Sequence, residues 1–155
     1  MTVTHDPVRI HADRWREWAP LPLRLALGAG LIIHGGIKLF VSGGHANIAH
    51  MIGQLGVPFP DLVAWIVGGV ECFGGLGILL GALFRVSSGL NVLNVGGLLV
   101  LGWLAGGIPD PLAGGDPLPA FREAFLILAG ALGLFLGGPG RWAVDNLRQP
   151  HITAR

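Results

Sequence analysis

Residues 62–83 read LVAWIVGGVECFGGLGILLGAL, with Glu71 as the only charged residue. A run of this length without a second charge is long enough to cross a hydrocarbon core of about 30 Å as a helix. Three further stretches have the same character: Leu21–Val41, Ser87–Gly107 and Phe121–Gly137. Together they predict an all-α integral membrane protein, a four-transmembrane-helix bundle. Pro22 suits a first-turn position, where its missing N–H is harmless, and Gly106-Gly107 and Gly137-Gly138-Pro139-Gly140 punctuate the later spans.

The composition agrees. Of 155 residues, 52% are hydrophobic and 12% are charged, and the mean hydropathy is +0.64. Soluble domains carry about 25% charged residues, so a chain this apolar needs the bilayer as the solvent for its outer surface. The net charge of +1 arises from basic residues placed at the ends of apolar runs, which gives no nucleic-acid signal. Cys72 is the single cysteine; it can form no intrachain disulfide or thiolate cluster and reads as a small buried apolar residue.

Those basic residues orient the bundle, because cytoplasmic flanks collect Lys and Arg. Arg9, Arg14, Arg16, Arg24, Arg85, Arg141, Arg148 and Arg155 fall on one side, and Lys38 and Arg122 toward the other. Both termini are therefore expected in the cytoplasm: residues 1–19 as an N-terminal segment, 20–140 as the transmembrane domain and 141–155 as a C-terminal tail. The N-terminal segment lacks the apolar core of about 7–15 residues that a leader needs, so no cleaved signal is expected. Trp15, Trp18 and Trp142 lie at predicted inner boundaries and Trp65 and Trp103 near outer ones, as in an aromatic belt. In the outer connection Ser42–Asp61, Ile48, Met51, Ile52 and Leu55 recur at helical spacing and predict a short amphipathic helix on the outer surface. The second connection, Ile108–Ala120, is too rich in Pro and Gly for a helix and reads as an irregular loop.

The spans also hold residues that hydrocarbon does not tolerate alone: Arg24, His34 and Lys38 in the first, Glu71 in the second, Asn91 and Asn94 in the third and Glu123 in the fourth. A charge in hydrocarbon costs at least about 2.5 kcal/mol, so these groups should face the interior and pair. On the first helix Arg24, His34 and Lys38 share an arc of roughly 80°. Depths reckoned at about 1.5 Å per residue suggest an inner grouping of Arg24, Glu71, Asn91 and Asn94 and an outer one of His34, Lys38 and Glu123. Two readings stand side by side. The groups are either charge-neutral pairs that hold the helices in register, or the lining of a cavity for a polar small molecule such as a quinone head group, or for a proton. His34 is the only histidine within the spans, which disfavours a haem held by one chain. His45 and His50 read as solvated surface groups, and Ser87 and Ser88 lack a neighbouring base.

The segments LPLRLALG (21–28), IIHGGIKL (32–39), LGVP (55–58), VECFGGLGILLGALFR (70–85) and GGPGRWAVD (137–145) resemble the DoxX family over about Pro20–Leu147. The closing motif usually has Ser where this chain has Ala143. The resemblance implies a four-helix protein of a bacterial or archaeal inner membrane. Its relatives are associated with quinone-linked sulfur oxidation and terminal oxidases, as small subunits beside a second polypeptide. The expected function is thus a small membrane subunit of a quinone-linked oxidoreductase or respiratory complex that docks a redox partner, with its own part in catalysis left open. Arg24, His34, Lys38, Glu71, Asn91, Asn94 and Glu123 would surround a quinone, with no metal and no other cofactor indicated. The expected partners are the lipid bilayer and a second redox protein or further copies of the chain. A solute or proton transporter and an assembly scaffold are the alternatives from other classes.

Overall fold

The computed structural model describes residues 18–105, 119–140 and 142–147. The arginines at 9, 14, 16, 141, 148 and 155, Trp15 and most of the second connection lie outside the described residues. Every regular element described is helical: α1 (Pro20–Phe40), α2 (Gly44–Gln54), α3 (Pro60–Leu80), α4 (Phe84–Leu104), α5 (Pro119–Gly137) and α6 (Val144–Leu147). Three of them, α1, α3 and α4, are long and apolar enough to span a membrane. Helix α5, of 19 residues, packs beside them.

The closest packing is between α1 and α3, and glycine makes it possible. A Cβ at Gly28 would sit 2.9 Å from Leu79 Cβ, one at Gly75 would sit 2.9 Å from the amide of Ile32, and one at Gly35 would collide with the backbone of Cys72 and Gly68. Residue numbers rise on α1 as they fall on α3, so the helices run antiparallel with backbones in direct contact. Small residues permit such approach where lipid offers no hydrophobic drive between helices. Next to this seam, Leu31, Ile78, Phe84 and Leu134 form one buried apolar cluster.

Between α3 and α4 the chain reverses in three residues. Gly81 takes a left-handed conformation (φ 69°), and the amide of Ala82 returns to Gly77 O at 2.9 Å, closing the helix as such caps do. The apolar run of the sequence hides this stop, which is why the expected span ended at Leu83 and the next began at Ser87. Leu83, also at positive φ (46°), donates its amide to Asp145 Oδ1 at 2.9 Å, and Phe84 donates to Oδ2 at 2.8 Å. The start of α4 is therefore capped by an acid some sixty residues away in sequence. Asp145 N in turn donates to Gly81 O at 3.0 Å, and Ala143 lies against Gly81, so residues 142–147 fold back onto this end of the bundle.

At the opposite end, α2 forms where the apolar spacing indicates. It does not simply lie on a surface, because Ala49 and Ile52 bury against Ala64 and Val67 of α3. Helix α5 sets Phe135 against Gly89 and Leu128 against Gly96 of α4, and its Gly130 meets Leu23 and Leu27 of α1. The outward faces carry Phe40, Leu93, Leu126 and Leu136, each at least 70% exposed, which only lipid can solvate favourably.

Replacing a mid-helix glycine by alanine ordinarily stabilises a helix by about 0.5–1 kcal/mol. We expect that gain at Gly36, around which a Cβ meets nothing within 4 Å. At Gly35 the added methyl should instead cost on the order of 2 kcal/mol by forcing α1 off α3. Thermal unfolding of Gly35→Ala and Gly36→Ala in one detergent checks the contrast, and equal behaviour would contradict the seam.

Candidate functional site

The α1–α3 register decides which polar groups meet. Lys38 lies opposite Gly68, whose absent side chain leaves room for the Lys38 stem. The ammonium reaches one helical turn along α3 and donates to both oxygens of Glu71, at 2.5 and 2.6 Å. Glu71 is 5% exposed. An ion pair in such surroundings stands because each charge is the other's solvent.

One turn back along α1, His34 Nε2 lies 3.0 Å from Glu123 Oε1 of α5. This pair is open: the His34 side chain is 35% exposed and that of Glu123 55%. Ile37 on α1 and Leu126 on α5, each three residues along from a member of the pair and so on its side of the helix, are apolar and exposed. The expected outer grouping thus forms with a different pairing, as Lys38 turns away from Glu123 to Glu71.

Arg24 overturns the expected inner grouping. It does point inward, at 1% exposure, but neither Glu71 nor the asparagines are its partners. Its Nε donates to Ile78 O (3.1 Å), Nη2 to Leu79 O (3.0 Å), and Nη1 to Pro139 O (2.8 Å) and Trp142 O (3.1 Å). The guanidinium also lies 5.7 Å from the centre of the Phe84 ring. The last carbonyls of a helix lack intrahelical partners and carry the negative end of its dipole, and a rigid fork of N–H donors satisfies several of them together. Arg24 therefore binds the end of α3 to the chain beyond α5. Depth estimated from span boundaries placed it near Glu71, whereas the seam sets Gly28 beside Leu79 and carries Arg24 beyond Ile78.

On α4, Asn91 is fully buried; its amide donates to Ser87 O (3.0 Å) and Val70 O (3.4 Å). Ser88 Oγ donates to Phe84 O at 2.7 Å and Ser87 Oγ to Ala82 O at 3.4 Å, so both hydroxyls serve the start of their own helix. His45 is less solvated than expected: its ring stacks on Trp65 with centroids 4.5 Å apart, and Nε2 lies 3.6 Å from Asp61. His50 pairs with Gln54 at 3.1 Å. Sequence reasoning missed Asp145; the signal available was an acid just after a Gly-Pro-Gly break, a residue type that caps helices.

These features define a small helical membrane protein with, among the described residues, a buried Lys–Glu ion pair and an open His–Glu contact between its helices. The profile of the DoxX family matches residues 19–104, more than half of the chain, and the chain belongs to that family. An uncharacterized membrane protein of Mycobacterium tuberculosis is 30% identical over 105 residues, covering 65% of this chain and 64% of the relative. The chain thus matches just under two thirds of that relative's length. No solved structure matches it.

A double-mutant cycle distinguishes the observed pairing from the expected one. Lys38→Met or Glu71→Leu alone should cost about 3–5 kcal/mol by leaving a buried charge unpaired, and the double variant should recover much of that loss. Arg24→Leu should cost at least about 2 kcal/mol for orphaned carbonyls, and its loss should simply add to that of Glu71→Leu. Detergent-phase unfolding reads both cycles. Coupling of Arg24 with Glu71, or its absence between Lys38 and Glu71, would contradict the assignments.

Proposed function

We propose that this DoxX protein is the small membrane subunit of a quinone-linked oxidoreductase and that it receives a quinone-type head group on the flank between α1 and α5. The observation that carries the reading is the open His34–Glu123 pair set among outward apolar residues. Ionisable groups on the lipid side of a spanning helix are costly and mark functional sites. A quinone dissolved in the bilayer brings a polar head to that pair and leaves its apolar tail against Ile37 and Leu126. Lys38 and Glu71 stand one turn behind, and the electron-transferring chemistry lies with a second redox protein. Arg24, held on carbonyls at the other end, has no part in this site.

In the same reading α5 is a fourth crossing, the protein resides in the cytoplasmic membrane, and both termini are cytoplasmic. The charge distribution supports this orientation. In a Cys72→Ala background, cysteine at position 48 should react with an impermeant reagent from outside and cysteine at 85 should not. Reversed labelling would overturn the orientation.

The buried Lys38–Glu71 pair favours a second reading, in which the ion pairs are structural and the chain is an assembly scaffold. Purification from the native host in mild detergent separates the two. The quinone reading expects quinone to co-extract with the protein, and His34→Phe to lose it at little change in melting temperature. It also expects Glu71→Gln to impair activity of the complex at nearly normal expression. Quinone-free protein whose melting temperature ignores added short-chain quinone would leave the scaffold.

A further inference from the structure

Two buried amide atoms on α4 have no hydrogen-bond partner among the described residues: Asn91 Oδ1 and Asn94 Nδ2. Such atoms are costly to leave unpaired in a protein interior. The orientation of Asn91 is fixed, because its Nδ2 donates to the carbonyls of Ser87 and Val70, leaving Oδ1 able only to accept. Asn91 and Asn94 are three residues apart and so share a helix face. That face looks at α3: Gly77 meets Ser87, Gly74 meets Asn91, and Leu98 joins the cluster of Ala64 and Val67. Asn94, between Asn91 and Leu98, therefore stands at the level of residues 67–71 of α3. Glu71 falls, by helix phase, between Gly68 and Gly75, which meet α1, and Gly74, which meets α4. Its carboxylate has lone pairs beyond the two that Lys38 engages.

We infer that a single water molecule is bound between Asn91, Asn94 and Glu71, inside the bundle. The three groups offer one donor and two acceptors. Water complements that set: its two O–H bonds go to Asn91 Oδ1 and a Glu71 oxygen, and one lone pair accepts from Asn94 Nδ2. Buried waters typically make about three such bonds to groups that would otherwise be unsatisfied. The consequence is a Glu71 carboxylate held by an ammonium on its α1 side and hydrated on its α4 side.

The full-length protein, labelled with 15N in its asparagine side chains and reconstituted in lipid bilayers, tests this by water-edited solid-state NMR. Asn47, Asn91, Asn94 and Asn146 give four side-chain signals, assigned by single substitutions; Asn47 is exposed and provides the reference for contact with bulk water. The Asn94 amide should receive magnetisation from water as readily as Asn47 does, and should lose that transfer in Asn91→Leu and in Glu71→Leu/Lys38→Met. Since Asn91→Leu removes a packing group as well, Asn91→Asp, which keeps the acceptor, should retain the transfer. An Asn94 signal without water transfer in the parent protein overturns the inference. So does transfer that survives Asn91→Leu unchanged, because the water would then not be held by Asn91.

Discussion

Backbone contact between α1 and α3 is the constraint on which the other interactions rest. With Gly28 and Gly35 facing Gly75 and Gly68, the two helices have one register that avoids collision, and shifting it by a residue would drive a side chain into the facing main chain. That register sets Lys38 within reach of Glu71 and Arg24 beside the last carbonyls of α3. The ion pair and the arginine then act as polar locks near opposite ends of a seam that dispersion alone holds in between. Each lock is weak evidence of stability taken singly, since desolvation offsets much of the attraction. Their value lies in register, because a slipped seam would leave both charges unpaired.

How much of this was legible from the residues depended on which physical property each feature used. Hydrophobic length located the three helices long and apolar enough to span a membrane, and Pro22 in the first turn of α1 was readable from local chemistry. The spacing of Ile48, Ile52 and Leu55 located α2, but not its burial against Ala64 and Val67, which depends on where α3 lies. The polar face of α1 was also legible, and all of Arg24, His34 and Lys38 engage neighbours. Their partners were not, because pairing depends on the relative slide of two helices, and counting residues from span boundaries carries an error of several residues, or several ångströms. The Gly81 stop was invisible within an unbroken apolar run, and Asp145 acts across a distance in sequence that no local pattern encodes.

The two polar locks are kept apart by apolar packing, and that bears on function. Leu31 lies between Arg24 and His34 on α1, and Ile78 lies between Glu71 and Gly81 on α3; with Phe84 and Leu134 they form a cluster no more than 2% exposed. A transporter in this conformation would need polar groups to bridge that layer, and among the described residues the side chains here are hydrocarbon. Ser88, at the edge of the layer, spends its hydroxyl on Phe84 O. The end that holds Arg24, Gly81 and Asp145 is therefore a closed structural joint, in which a cation caps α3 and an anion caps α4. The other end has a buried ion pair, an open His–Glu pair and two buried amide atoms with no protein partner among the described residues. On the proposed reading the quinone site belongs at that end, approached sideways from the membrane and not through the bundle.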